Sequence, residues 1–206
     1  MIMIRTKDDL KYYLNADAIA LRKYGKCPLL SRDDIWKFQR LLRKTEYLKN
    51  TIRTKISFKY IRFRFLSFKL SRLGRLLGFS IPLNTCGPGL SIAHRGTLVI
   101  NDGVRLGANV RLHVCVNIGT NAGSKLSPMI GNNVYIGPGA KIFGDIHIAD
   151  GIAIGANSVV NKSFLERNIS IAGIPARKIS DKGSKNLVRR ATDILDRLKR
   201  IQELRT

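Results

Sequence analysis

Acidic residues are scarce in this chain: 14 Asp and Glu stand against 37 Lys and Arg, a formal net charge of +23. None occurs between Glu46 and Asp102. A field of that sign attracts polyanions: phosphorylated cofactors, anionic lipid surfaces or nucleic acid. Cysteine is sparse as well. Cys27, Cys86 and Cys115 are an odd number, widely spaced, with no CxxC pair. That argues against a disulfide framework and a zinc site, and no metal site is expected; reduced, mostly buried thiols are. No apolar run reaches the length of about 18 residues that reads as a membrane span. The opening MIMIRTKDDLKYY lacks the apolar stretch of a secretory signal. The expected location is therefore the cytoplasm.

What is present divides into three segments. Residues 1–80 are expected to form a basic helical N-terminal arm. Thr6-Lys7-Asp8-Asp9 and Ser31-Arg32-Asp33-Asp34 are capping-type starts, each followed by apolar residues at helical spacing. A third piece, KISFKYIRFRFLSFKLSRLGRLLGF, interleaves Phe58, Tyr60, Phe63, Phe65 and Phe68 with Lys and Arg, and Gly74 and Gly78 close it. Residues 181–206 place Leu187, Ala191, Ile194, Leu198 and Ile201 at steps of three and four, the pattern of an amphipathic helix that could self-associate.

Residues 86–180 keep a different clock. Stepping by six from Ile100 meets Leu106, Leu112 and Ile118, then Ile130, Ile136, Ile142, Ile148, Ile154 and Val160. Strands and helices repeat every 2 and 3.6 residues, so a period of six is neither. Each hexad is one short strand, and three make one coil of a triangular parallel β-helix whose aliphatic residues stack inward. Only SKLSPM (124–129) breaks the pattern, which predicts a loop there.

The stretches GPGLSIAHRGTLVIN (87–101), VCVNIG (114–119), IGNNVYIGPGAKIFGDIHIADGIAIGANSVVNK (130–162) and AGIPARKI (172–179) resemble the hexapeptide-repeat acyltransferases, in particular their serine O-acetyltransferase branch. The resemblance implies a mainly β fold: a left-handed parallel β-helix flanked by the basic arm and the C-terminal helix. It also implies a homotrimer and acetyl-CoA as donor. The branch carries Asp-His where this chain has Ala93-His94. A further Asp upstream falls at Phe79-Ser80-Ile81-Pro82, and a second histidine falls at Ser127.

Moving an acetyl group from a thioester to a hydroxyl needs a base, an aligned acceptor and donors for the oxyanion. His94 matches the family's catalytic histidine and is the expected general base. His113, one coil and one residue later, is expected on the neighbouring coil, where it could orient His94, bind the acceptor or be the base itself. Asn84, Thr85 or a backbone carbonyl are candidates to fix the His94 tautomer, and Ser127 to meet the acceptor. Pantetheine is a thin amide chain, so close approach favours Gly137, Gly139, Gly155, Ala156 and Gly173, residues that could equally be satisfying coil corners. Arg177 and Lys178 are expected near the nucleotide phosphates, with Lys162 a weaker candidate. No GxGxxG or Walker pattern is present, so nucleotide hydrolysis has no support.

The missing carboxylates and second histidine point the expectation away from serine. A short basic arm with a GPGLSIAH-like opening resembles the O-acetyltransferases of capsule and exopolysaccharide pathways. The expected acceptor is thus a sugar hydroxyl, free or on a lipid carrier. Serine O-acetylation for cysteine synthesis and a non-catalytic β-helix scaffold at the membrane are the alternatives. The aromatic-basic piece 49–78 is read either as a helix packed on the β-helix or as an interfacial segment on an anionic membrane at the inner face of the cell. No nucleic-acid motif accompanies the charge, and no nucleic-acid partner is expected.

Overall fold

The fold follows from that six-residue clock. In the computed structural model, which describes residues 3–25 and 33–204, the repeats wind into a three-faced left-handed parallel β-helix. One face stacks β1 (Phe79–Ser80), β3 (Leu98–Ile100), β6 (Val116–Gly119), β9 (Lys141–Phe143) and β12 (Val159–Val160). The second stacks β4 (Arg105–Leu106), β7 (Met129–Ile130) and β10 (His147–Ile148). The third stacks β2 (Ser91–Ile92), β5 (Arg111–Leu112), β8 (Tyr135–Ile136), β11 (Ala153–Ile154) and β13 (Ser170–Gly173). It closes with β14 (Ala176–Ser180), which turns back antiparallel on β13.

The register makes the aliphatic ladder literal. Leu112 pairs with Ile136, Ile136 with Ile154 and Ile154 with Ile171, all fully buried. Ile130 and Ile148 are 18 residues apart, one turn of three hexads. Leu106 and Ile130 are 24 apart, so this turn holds a fourth hexad. The extra residues form the irregular segment 120–128, and strand structure resumes at Met129. A parallel strand buried on its inner side with no helix crossover is stable here because each coil is the next one's hydrogen-bonding template.

Three helices precede the coils. Helix α1 (Lys7–Ala20) starts with a reciprocal capping box between Thr6 and Asp9. Helix α2 (Asp34–Thr51) is capped by Asp33, whose side chain accepts from Trp36 N at 3.0 Å; Ser31 and Arg32 lie outside the described residues. Helix α3 (Phe58–Leu77) begins at Ser57 and ends at Gly78, whose φ of 80° is the left-handed turn that leads directly into β1. Gly74 does not end it: a side chain there would press on Phe79 O at 2.9 Å, so this glycine lets α3 lie close to the first strand.

The arm is stitched to the first coil by a buried polar network centred on Arg43. All five of its N–H donors are used: Nε and Nη2 on Asp17, Nη1 on Glu46, and Nη1 and Nη2 on the carbonyls of Cys86 and Gly87. Asp17 also accepts from Leu90 N at 2.9 Å, and Glu46 from Asn84 N at 2.8 Å. Burial opposes the guanidinium charge, but Asp17 and Glu46 outweigh it and hold Arg43 protonated. Burial also pushes the Cys86 thiol up to about 11, so it packs as a neutral group. Cys115 is exposed, against the expectation of buried thiols, and Cys27 lies outside the described residues.

Helix α4 (Ala191–Glu203) lays Ala191 and Leu195 on Ala16, Ile19 and Ala20 of α1. Its buried face meets α1 of its own chain. Leu187 precedes the helix and is exposed.

Candidate active site

The turns from the third face to the first form one edge, and the candidate site runs along it. His94 stands exposed in the turn between β2 and β3; His113, half-buried, follows β5 on the next coil. Ala93 N bonds Leu112 O at 3.0 Å, which sets the two turns level. The imidazole centroids are 6.1 Å apart with planes at 55°. Tyr135, on the coil beyond, packs its ring 5.1 Å from His113.

Arg111 Nε donates to His113 Nε2 at 3.3 Å. Nε2 is therefore an acceptor, and the ring hydrogen sits on Nδ1. Burial, then the Arg111 charge, then His94 lower the His113 pKa and keep that ring neutral. The consequence is electrostatic: if His94 takes a proton during reaction, its nearest imidazole neighbour adds no second charge. Arg111 and Tyr135 escaped the sequence reading. A signal existed, since Arg111 and His113 are two apart along a strand line and share a side, while Tyr135 reaches them only through the 24-residue coil.

The small residues continue down the same edge. Gly137 N bonds Ile154 O at 2.9 Å and Gly139 N bonds Val114 O at 2.9 Å. Gly139 has φ 77°, and a β-carbon there would strike the Asn157 side chain. Gly155 N bonds Ile171 O at 2.8 Å, and a β-carbon would sit 2.8 Å from that of Ala172. Ala156 is exposed beside it. Gly173 closes the column, donating to Ser158 Oγ at 3.3 Å. These positions are corner-formers by geometry: a β-carbon at Gly137, Gly139 or Gly155 would press on the next coil, so the column of small residues packs coil on coil below the two histidines.

Other expected residues are placed elsewhere. Asn84 exchanges amide hydrogen bonds with Asn50 at 2.9 and 3.0 Å in the arm seam. Thr85 is fully buried and donates to Pro82 O at 2.8 Å. Both are committed to the seam, and the described hydrogen bonds link neither to His94. Ser127 donates to Asn101 at 3.1 Å on the edge between the first and second faces, not the histidine edge. Lys178 is held by Glu166 at 2.5 Å and Asp181 at 2.6 Å, while Arg177 beside it is exposed. Lys162 lies 5.5 Å over the Phe164 ring. His147 is exposed on the second face.

Beside the histidines, Ser91, Ala93 and Arg111 line a hollow of about 290 Å³ together with Arg22 and Asp33. Asp33 also pairs with Lys23 at 3.2 Å. The hollow thus offers groups of both charge signs next to the imidazoles.

A β-helix of six-residue repeats with an imidazole pair above a strip of small residues is the architecture of the hexapeptide-repeat acyltransferases. Within them, the chain belongs to the serine acetyltransferase family. It is 38% identical over 123 residues to the serine acetyltransferase of Helicobacter pylori, covering 58% of this chain and 71% of that protein. The Buchnera aphidicola enzyme from Schizaphis graminum is 32% identical over 122 residues, 57% of this chain but 46% of its own length. The chain thus spans about half the length of that relative. Among solved structures, the serine acetyltransferase of Brucella abortus matches with TM-score 0.64 and 28% identity, over 85% of this chain and 69% of that one. The same enzyme in complex with coenzyme A matches at 0.65 and 28%, over 86% and 70%. No family model matches the chain.

These relatives correct the expected acceptor. The relatives named here are serine acetyltransferases, which supports the serine alternative and overturns the polysaccharide reading. That expectation took lost serine ligands as a lost substrate. The hollow beside the histidines shows that charged groups adjoin the site from other positions.

Proposed function

We propose that this protein is an acetyl-CoA-dependent serine O-acetyltransferase that works as a homotrimer in the cytoplasm. The observation that carries the reading is the shared edge: the paired imidazoles and the glycine strip lie on consecutive coils of one column. Family membership supports the acceptor and the assembly, and the relative solved with coenzyme A supports the donor.

In this reading the pantetheine arm lies along Gly137, Gly139, Gly155 and Ala156, and Arg177 faces the nucleotide phosphates. The serine hydroxyl meets His94, which takes its proton as the oxygen attacks the thioester carbon. The C–S bond breaks as the tetrahedral adduct collapses, and the thiolate of coenzyme A recovers the proton. His113 stays neutral under Arg111. Arg111 and Arg22 offer cations to the serine carboxylate, and Asp33 an anion to its ammonium. That pairing of signs favours a zwitterion over a sugar, which carries neither charge.

Thiol release with acetyl-CoA and serine tests the reading. His94→Ala is expected to lower kcat by roughly 10²- to 10⁴-fold, the range of a lost general base, with the thermal melt unchanged. Undiminished turnover would move the base to His113. No thiol release by the unaltered protein with serine would end the assignment.

A further inference from the structure

Helix α3 carries a feature that acetyl transfer does not use. Its inner face, Leu70, Gly74 and Leu77, is buried as it packs along α2. The opposite face is apolar and bare: Phe58, Ile61, Phe65, Phe68 and Leu76 are 79, 66, 56, 62 and 74% exposed. They recur at helical spacing and form one stripe along the outer surface. Over 18 residues the stripe runs roughly 27 Å. Arg72 lies within it, and Arg62 and Lys69 on one side and Arg64 and Arg75 on the other flank it. Lys69 Nζ lies 4.5 Å over the Phe65 ring, so cation and aromatic already share one surface. Ile56, just before the helix, is fully exposed as well.

We infer that α3 is a docking helix for an anionic lipid surface, lying in the headgroup plane with its aromatic stripe inserted and its flanking cations on lipid phosphates. Two properties choose this occupant. A second copy of the helix would bring like charges together, because the chain has no acidic residue between Glu46 and Asp102 to neutralise them. A nucleic acid would be met best by cations at the centre of the contact. Here the centre is apolar and the cations sit chiefly at its margins, the arrangement of an interfacial helix. Among the described residues no helix is long and apolar enough to cross a membrane, so the contact is with the surface.

The experiment uses the full chain with vesicles of equal parts phosphatidylglycerol and phosphatidylcholine, read by co-sedimentation at low salt. Binding is expected there and not to phosphatidylcholine alone. Replacing Arg62, Lys69 and Arg72 together by Gln should weaken it on the order of 100-fold, about fivefold for each cation. Replacing Phe65 and Phe68 together by Ser should weaken it roughly tenfold or more. All five side chains are solvent-facing, and an unchanged thermal melt confirms that each variant is folded. Failure of the full chain to bind the anionic vesicles overturns the inference. So does binding that ignores the two Phe substitutions, which would be adsorption by charge alone. Dissociation of an oligomer by the same substitutions would assign the stripe to a second copy, and tighter binding to single-stranded RNA would assign it to nucleic acid. Sedimentation is independent of thiol release, so this inference and the acetyltransferase reading fail separately.

Discussion

The β-helix and the arm are held by opposite means. In the β-helix each aliphatic residue stacks on its counterpart one coil away, and the core from Ile92 to Ile171 is a column of like side chains. In the arm the ionic contact is concentrated: one buried guanidinium gathers two carboxylates and two carbonyls from three parts of the chain, beside a buried Gln39 that bonds Leu90 O and Ile92 N. The repetitive core spreads its stabilisation over many equivalent positions. The seam concentrates its ionic part in one side chain, so the two should respond differently to a single substitution.

The seam should break hardest. Arg43→Met leaves Asp17 and Glu46 buried without their cation, and losing one partner of a buried pair typically costs about 3–5 kcal/mol. Denaturant unfolding followed at Trp36, on α2, should show that loss, while the β-sheet circular dichroism keeps its midpoint. A β-sheet midpoint that falls in parallel would mean that arm and β-helix unfold as one unit. Within the column, Ile136→Ala opens a cavity in a packed layer and should cost about 2–4 kcal/mol. Its signature is the reverse, a lowered β-sheet midpoint. A loss below about 1 kcal/mol would show the coils collapsing around the gap, which a tightly packed stack resists.

A smaller effect separates the edge from both regions. The folded-state pKa of His113 lies below its ordinary value because of burial, Arg111 and His94. As pH falls from the unfolded value of about 6.5 towards that lower one, the unfolded chain binds a proton that the folded chain refuses. Stability present above that window is therefore lost as pH drops through it. His113→Gln should flatten this part of the stability–pH curve, and an unchanged slope would place the titration elsewhere. Smallest is Lys178→Met. Its pairs with Glu166 and Asp181 are exposed, so the thermal melt should stay unchanged.

Much of the fold was legible because its signals are local. The hexad ladder, the break at SKLSPM, the Thr6 start of α1 and the Gly78 stop of α3 each rest on residues within a few positions of one another. The Arg43 network escaped notice for the opposite reason: Asp17, Glu46 and the Cys86 carbonyl converge from separations of 26, 3 and 43 residues. Asn84 looked like an imidazole partner by its nearness in sequence to His94, yet its side chain turns to Asn50, 34 residues upstream.

The sequence alone determined the β-helix, because a six-residue period of aliphatic residues can bury itself only by coiling on its own repeats. It also determined the charge of the arm and the presence of an imidazole at position 94. Only the tertiary structure decided which groups surround that imidazole. Coil-to-coil register set His113 beside it and Arg111 and Tyr135 on His113, while the segments around α1 and α2 completed the Asp33 hollow next to Ala93. Such encounters depend on the sum of every intervening turn length, and no local pattern encodes that sum.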